Sequence, residues 1–258
     1  MSRKNDDETN NHKNAYTCEL EANIKDQSLN DDLYPERRQR IKKTWFENFF
    51  NFENSKKHAK RRCEQNATWC INNSPLVKIM LAALQASGCD FHIERHLACE
   101  YCHNTVSGGF DANFNQIILC YNVAVKKSTV QAVLVHELTH MFDYCQNEID
   151  FNNIRHVACS EIRAANLANC SFLSAWYYGN ASLLNIKESH KECVKNKALT
   201  SLVATKRFSK IESIKAIDEV FPKCYADLEP IGRRCRRNST NMNLAFIEAP
   251  LYGYNYKI

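Results

Sequence analysis

Between residues 128 and 145 the apolar positions recur every three or four residues. They are Val130, Val133, Leu134, Leu138, Met141 and Phe142. This spacing places them on one face of an α-helix, which predicts a helix packed against a core. The segment opens with Ser128, followed three residues later by Gln131, the pattern of a capping box. We therefore expect the helix to begin at Ser128.

Similar patterns predict helices on both sides of this segment. Ser74-Pro75 is a typical helix start and Gly88 a typical helix end, so residues 75–87 form one helix. The other predicted helices are 35–52, 56–72, 155–170, 188–206 and 208–220. The tail from Pro222 is expected to be irregular.

Three short stretches are typical of strands. Residues 90–97 alternate apolar and polar side chains. Residues 110–113 and Gln116–Tyr121 follow a turn that we expect at Gly108-Gly109. The whole pattern predicts an α+β fold that is mainly helical, with a small sheet beside the helix of residues 128–145.

The ends of the chain differ in character from its middle. Residues 1–32 are polar and lack apolar periodicity, so we predict a disordered N-terminus followed by one domain over residues 33–258. The first residues are polar and charged, unlike a secretory signal peptide. No apolar run approaches the roughly 20 residues that cross a bilayer. We expect a soluble or peripheral protein.

The helix of residues 128–145 carries an HExxH motif, His136-Glu137-Leu138-Thr139-His140. Residues four apart share a helix face, so both imidazoles can bind one zinc ion. Glu137 lies beside them and can accept a proton from the attacking water. The motif predicts His136 and His140 as metal ligands and Glu137 as the catalytic base. A chance pair of histidines on a helix is the alternative.

A catalytic zinc site needs a third protein ligand. One class of zinc protease uses a histidine six residues after the second motif histidine, but position 146 is Gln, which excludes that class. Another class uses a glutamate on the next helix, and Glu161 lies 21 residues after His140. Small side chains share its predicted helix face and permit close helix packing: Ala158, Ala164, Ala165 and Ala168. We predict Glu161 as the ligand, with Asp150, His156 or a simple surface ion pair as alternatives.

Two further residues have candidate roles near the metal. Asp143 lies two helical turns after His136 and is expected to accept the second N–H of an imidazole, or else to form a salt bridge or helix cap. His156 could instead polarise a substrate carbonyl.

The charge pattern adds little to this picture. The formal net charge is +5, with basic clusters at 37–40, 60–62 and 233–237. Such clusters are typical of solvated helix faces, and attraction to an anionic membrane is the alternative. No nucleic-acid reader motif accompanies them, so no nucleic-acid partner is expected.

The cysteine count is informative. Thirteen cysteines are unusual for a reducing compartment, which favours an oxidising one. The count is odd, so at least one thiol stays free or pairs elsewhere. Cys99-x-x-Cys102 is interpreted as disulfide partners, with a structural zinc site or a redox pair as alternatives.

A long stretch around these residues resembles a known family, the mitochondrial inner-membrane metalloproteases that process subunit 6 of ATP synthase and assist its assembly. The resemblance spans about residues 60–232. It is carried by the HExxH motif with Phe142-Asp143, by residues 158–166 (Ala-Cys-Ser-Glu-Ile-Arg-Ala-Ala-Asn), by Cys99-x-x-Cys102, by Gly108-Gly109-Phe110, by Glu192-Cys193-Val194 and by residues 224–230.

The resemblance implies a zincin-type zinc endopeptidase, attached peripherally to the inner membrane on the intermembrane-space side and oxidised on import. It implies His136 and His140 as zinc ligands and Glu137 as the catalytic residue, while Glu161 rests on the spacing described above. The edge of strand 116–121 is expected to pair with an extended substrate backbone.

The implied substrate is the precursor of an ATP synthase membrane-sector subunit, and the implied assembly role does not require catalysis. Two alternatives to the enzyme stay open at this point. One is a non-catalytic assembly chaperone whose zinc is structural, and the other is a nuclear protein associated with nucleic acid.

Overall fold

A computed structural model describes residues 33–37, 52–170, 186–235 and 239–256. The chain from Tyr34 onward clusters as one compact unit. The predictions of a disordered N-terminus and of a helix over most of 35–52 lie outside the described residues. Within the described ranges, no helix is long and apolar enough to cross a membrane.

The described chain is mainly helical with one small sheet, which confirms the predicted fold class. The helices are α1 (Phe52–Asn73), α2 (Pro75–Ala86), α3 (Ile93–His96), α4 (Lys127–Gln146), α5 (Ile154–Ala164), α6 (Ile186–Ala204), α7 (Lys210–Ala226) and α8 (Thr240–Glu248). A π-helical turn (Ala165–Asn169) extends α5, and a 3₁₀ turn (Ala249–Tyr252) follows α8. The strands are β1 (Leu97–Glu100), β2 (Gly108–Asp111) and β3 (Gln116–Cys120).

The sheet has the strand order β1-β3-β2, so β3 is its central strand. It pairs parallel to β1 and antiparallel to β2. Both sides of β3 are therefore occupied, and the prediction that strand 116–121 offers a free edge is wrong. Of the two edge strands in the described sheet, β2 is the one that packs on α4, the HExxH helix.

Two local predictions in this part of the chain are also wrong. Residues 93–96 form a helical turn instead of a strand, and the backbone N–H of His92 donates to Nδ1 of His96 over 2.9 Å. Gly108 and Gly109 belong to β2 instead of a turn. A side chain at Gly108 would collide with Val133 of α4 and the carbonyl of Ile118, so glycine provides space there.

Some of the predicted helix boundaries are confirmed and others are wrong. Ser74 is the N-cap of α2, with Pro75 in its first turn, and Gly88 adopts a positive φ of 80° after the helix end, as predicted. Helix α4 begins one residue before Ser128, and Lys126 precedes it without a side-chain cap, so the predicted capping box is wrong. Pro222 lies inside α7, and α8 lies in the tail that was predicted to be irregular.

Two large hydrophobic clusters divide the fold, and a small third cluster contains Cys102, Ile118 and Cys120. We call the sheet region the part formed by α1–α4, the strands and α8, whose cluster includes Leu134, Leu138 and Phe142 of α4. We call the three-helix region the part formed by α5–α7, whose cluster includes Ala158 and Ile162 of α5. The predicted apolar face of α4 is buried throughout, which confirms its packing on a core.

Each region carries its own disulfides. The sheet region contains Cys63–Cys99, Cys89–Cys145 and Cys102–Cys120. The three-helix region contains Cys159–Cys224 and Cys170–Cys193. Cys99 and Cys102 each form a disulfide, but with other partners and not with each other. Among the described residues, Cys70 and Cys235 are free and buried, and no disulfide joins the two regions.

Candidate metal centre

The two regions meet where α4 packs on α5, and this contact brings three predicted site residues together. Nε2 of His136 and Nε2 of His140 lie 3.2 Å apart. The Glu161 carboxylate lies 3.4 Å from the first through Oε2 and 3.6 Å from the second through Oε1. The possible ligand atoms all lie within 4.8 Å of one another. Three such groups this close together could hold one metal ion.

Local sequence explains why the helices approach so closely. Asn153 caps α5 by accepting the backbone N–H of Arg155. The face of α5 and its π-helical extension around Glu161 is built from small buried residues, namely Ala158, Ala164, Ala165 and Ala168. Small side chains reduce the distance between helix axes, so a short carboxylate reaches the histidines on α4. Ala168 packs in the cluster that contains α4, whereas Ala158 and Ala165 pack in the cluster of the three-helix region, so only part of the predicted small-residue face lies towards α4.

Burial sets the electrostatics of the centre. Burial raises the pKa of Glu137, and the negative charge of the nearby Glu161 raises it further. His136 and His140 act to lower this pKa but do not outweigh burial. Burial also acts to raise the pKa of Glu161, but attraction to the two imidazoles outweighs this effect and lowers that pKa. The two carboxyl groups are thus differentiated, because the pKa of Glu137 is raised and the pKa of Glu161 is lowered.

Among the described residues, Asp143 forms no hydrogen bond or ion pair with a histidine, so the predicted direct hydrogen bond is wrong. Its Oδ2 instead accepts the Ser160 hydroxyl over 2.7 Å, and Ser160 Oγ lies 2.8 Å from Nδ1 of His140. The expected connection therefore exists through one intervening serine. Sequence reasoning missed Ser160, and its only sequence cue was its position immediately before Glu161.

Arg163 ties this chain of contacts to the end of the three-helix region. Its guanidinium pairs with Asp143 and with Oδ2 of Asp227 at 3.1 Å, and it donates to the carbonyl of Glu229 over 2.6 Å. Arg163 is only 5% exposed. The salt-bridge alternative for Asp143 is therefore also realised.

The other candidate ligands lie elsewhere. Asp150 and His156 are both exposed, and the backbone N–H of Asp150 donates to Nδ1 of His156 over 3.2 Å. Their contact shapes the loop between α4 and α5. Neither belongs to the cluster of possible ligand atoms found in the described part of the chain.

Strand β2 runs directly past the centre. A Cβ atom at Gly108 would lie 3.6 Å from Oε1 of Glu137. The backbone N–H of Cys120 donates to Ser107, and hydrogen-bonded pairs alternate along an antiparallel ladder. The carbonyl of Gly108 therefore points away from β3, and the Tyr34 hydroxyl donates to it over 3.0 Å.

Glu36 and Arg37 anchor Tyr34 at this edge. The Glu36 carboxylate accepts the backbone N–H of Tyr101 and the hydroxyl of Tyr121, over 2.7 and 2.8 Å. Arg37 pairs with Glu100 at 2.8 Å and with Asp111 at 2.9 Å, and a third partner is the side chain of Gln116. This first part of the basic cluster at 37–40 thus binds protein acids.

An aromatic group lies beside the histidine face of α4. Tyr144 follows His140 by one helical turn, and its ring lies 5.8 Å from those of Phe110 on β2 and Phe151 after α4. The rings of Phe110 and Phe151 are 6.2 Å apart. Strand β2 therefore lies near Glu137 at Gly108 and near this aromatic group at Phe110.

Comparison with known proteins agrees with this site. Residues 61–232 match the model of the peptidase M76 family. The mitochondrial inner membrane protease ATP23 homolog of Danio rerio is 42% identical over 211 residues, which cover 81% of this chain and 79% of that protein.

Two further relatives extend the comparison. The mitochondrial inner membrane protease ATP23 homolog of Homo sapiens is 37% identical over 81% of this chain and 83% of its own length. Mitochondrial inner membrane protease atp23 of Schizosaccharomyces pombe is 31% identical over 67% of this chain and 93% of its own length. No solved structure matches this chain. The family match covers most of the chain and contains all three clustered residues, so this chain is a metallopeptidase that belongs to the peptidase M76 family.

Proposed function

We propose that this protein is a zinc-dependent endopeptidase with His136, His140 and Glu161 as the metal ligands and Glu137 as the catalytic base. One observation carries the proposal, the convergence of two imidazole nitrogens and a buried carboxylate from two separate helices within 4.8 Å. Two histidines and a glutamate are the ligand set of a large class of catalytic zinc sites.

The chemistry of these donors fits a cation. Oε2 of Glu161 is a buried oxygen that accepts no hydrogen bond within the described ranges. Leaving such a carboxylate oxygen without a partner costs several kcal/mol of solvation, roughly, unless a positive charge compensates it. Both Nε2 atoms face the same point, and neutral imidazoles present lone pairs there. Zinc bound at this point would act as a Lewis acid for the substrate carbonyl and lower the pKa of bound water.

Glu137 performs the proton transfers in the proposed reaction. It is 6% exposed, so its carboxylate is shielded from bulk water, and it lies close enough to His136, His140 and Glu161 for each of them to shift its pKa. It accepts a proton as water attacks the peptide carbonyl, and it later donates that proton to the leaving amine. The raised pKa from burial favours a group that must both take and return a proton.

The substrate is proposed to bind along β2. An extended peptide that adds to this edge would pair with the outward carbonyl of Gly108, close to Glu137, and so hold its scissile bond at the centre. In the free protein that carbonyl accepts a hydrogen bond from the Tyr34 hydroxyl, so a substrate N–H must displace this hydroxyl. Apolar residues of the substrate would then contact Phe110, Tyr144 and Phe151.

We further propose that the substrate is the precursor of an ATP synthase membrane-sector subunit and that the protein aids ATP synthase assembly. The family resemblance implies this substrate, and the aromatic surface beside the centre suits an apolar protein. The relatives are named as inner-membrane proteases. Five disulfides support an oxidising compartment, so we place the protein peripherally on the intermembrane-space side.

The test is metal content together with precursor cleavage, for wild type and for Glu137→Gln. We expect one zinc per chain in both proteins and cleavage by the wild type alone. Glu219→Gln is a matched control. Glu219 is an exposed glutamate that pairs with Arg155 and does not belong to the cluster of possible ligand atoms. Cleavage by Glu137→Gln at the wild-type rate would contradict the proposal. Normal ATP synthase assembly without any cleavage would favour the chaperone alternative.

A further inference from the structure

The ring of His140 faces two different environments. Its Nε2 faces His136 and Glu161, at 3.2 and 3.6 Å. Its Nδ1 faces α5, where Ser160 Oγ lies 2.8 Å away. A neutral imidazole carries a single ring proton, so a proton held on Nδ1 leaves a lone pair on Nε2. Whatever holds the Nδ1 proton therefore prepares Nε2 for a cation.

The direction of the hydrogen bonds at Ser160 follows from counting protons. A hydroxyl has one proton to donate, and an ionised carboxylate can only accept. Because Ser160 Oγ lies 2.7 Å from Oδ2 of Asp143, the hydroxyl proton goes to Asp143. Ser160 Oγ then accepts from Nδ1–H of His140. Both hydrogen bonds can exist together only with this assignment of donors and acceptors, and the assignment places the imidazole proton on Nδ1.

Arg163 holds the far end of this chain of hydrogen bonds. Its guanidinium lies against Asp143, which favours the ionised carboxylate that the order of donors requires. Arg163 is itself held by Asp227 and the carbonyl of Glu229. Ser160, Asp143 and Arg163 are exposed by 3%, 2% and 5%, so solvent does not substitute for any of these contacts.

We propose that Ser160 is a positioning residue that fixes the Nδ1-protonated form and the ring orientation of His140, with Asp143 and Arg163 as its supports. The proposal rests on the proposed metal site for its purpose, although the tautomer itself is a property of the metal-free protein. The alternative is a polar network that only stabilises the packing of α4 on α5. The two differ in what removal of the hydroxyl does to His140.

The direct test is the tautomer of His140 in metal-free protein, read from long-range ¹H–¹⁵N correlation spectra at alkaline pH. We expect the wild-type proton on Nδ1 and its loss from Nδ1 in Ser160→Ala. Ser213→Ala is the matched control, since Ser213 is a fully buried serine that donates to the carbonyl of Ser209 away from the centre. A wild-type proton on Nε2, or an unchanged tautomer in Ser160→Ala, would overturn the proposal.

A second readout is zinc affinity by chelator competition. Loss of a group that orients a metal-binding histidine weakens metal affinity by about 10- to 100-fold, which we expect for Ser160→Ala. Ser160→Thr, which keeps the hydroxyl, should recover most of that loss, and Ser213→Ala should bind as the wild type does. Wild-type affinity in Ser160→Ala would contradict the positioning role. A wild-type protein that binds no zinc would refute the metal site instead, and the tautomer measurement would still decide the role of Ser160.

Discussion

The sheet region and the three-helix region contribute unequal parts of one site. The sheet region supplies two proposed ligands, the proposed base and the substrate edge, all on α4 and β2. The three-helix region supplies Glu161 and the groups behind His140. Each region is cross-linked internally, and none of the disulfides among the described residues joins the two.

The contact between the regions is therefore the part of the fold that a bound cation would strengthen most. Disulfides constrain each region in the unfolded and folded states, but the α4–α5 contact depends on side chains alone. Several of those side chains are polar and buried, including Asp143, Ser160 and Arg163. A ligand that binds only the assembled centre stabilises the folded protein by mass action. The proposed metal site therefore lies at the contact between the two regions.

The largest effect is expected when the three-helix region loses Glu161, its proposed metal ligand. Glu161→Gln keeps the size of the side chain but removes its charge, so zinc affinity should fall by more than the roughly 10- to 100-fold expected for an orienting group. Activity should disappear with the metal. Zinc content after dialysis measures the effect, with Glu219→Gln as the control. A Glu161→Gln protein that keeps its zinc would assign the third ligand elsewhere.

The second-largest effect is expected from a substitution in the sheet region. Glu137→Gln removes the proposed base and leaves every proposed ligand in place. General acid–base catalysis contributes about 10²- to 10⁴-fold, so the cleavage rate should fall by that factor while zinc affinity is unchanged. Steady-state cleavage and metal analysis on the same sample test both halves of this statement. Loss of zinc together with activity would show that Glu137 supports the centre instead of acting in the reaction.

Removing one disulfide from each region tests whether the regions act separately. We expect Cys63→Ala/Cys99→Ala and Cys159→Ala/Cys224→Ala each to lower the free energy of unfolding by about 2–5 kcal/mol. Only the second pair should also weaken zinc binding, because Cys159 lies on α5 two residues before Glu161. Urea unfolding and chelator competition measure the two effects. Equal zinc affinities in the two variants would argue against this separation.

The two free thiols give another contrast. Burial raises the pKa of Cys70 and of Cys235 to about 11, from a reference value of 9.0. The thiolate is the reactive form, so at pH 8 alkylation should be about 100-fold slower in the folded protein than in denaturant. Because the folded pKa is raised, the stability from these buried thiols is present below pH 9 and is lost as the pH rises towards 11. Mass spectrometry of the labelled peptides measures the rates, and rapid labelling of either thiol in the folded protein would contradict its burial.

The smallest effect concerns the substrate edge. Tyr34→Phe removes the hydrogen bond to Gly108 while keeping the ring, so a substrate no longer competes with it. A hydrogen bond contributes about 0.5–1.5 kcal/mol, which predicts a KM lower by about two- to tenfold with kcat unchanged. Kinetics with one peptide substrate provide the comparison. A higher KM would mean that the hydroxyl binds the substrate.

Much of this organisation was predictable from local patterns. Periodicity identified most of the helices, because each buries one regular apolar face. The HExxH spacing predicted two converging imidazoles, and the distance to Glu161 together with the surrounding alanines predicted which helix meets them. These features depend on residues close in sequence.

The features that were missed depend on tertiary contacts. Gly108 resembled a turn residue, although its role is to leave space for Val133. Helix α8 lacked a clear pattern because Leu244 and Ile247 are exposed while its buried face uses Met242. Disulfide pairing and the role of Ser160 depend on which elements meet in space, and local sequence does not determine this.

The most direct test of the account is X-ray absorption spectroscopy at the zinc edge on the purified wild-type protein. We expect one zinc per chain with two imidazole ligands and oxygen ligands at about 2.0–2.2 Å. The same spectrum of Glu161→Gln should lose the zinc signal. Sulfur ligands at about 2.3 Å would place the metal on cysteines and contradict the central claim.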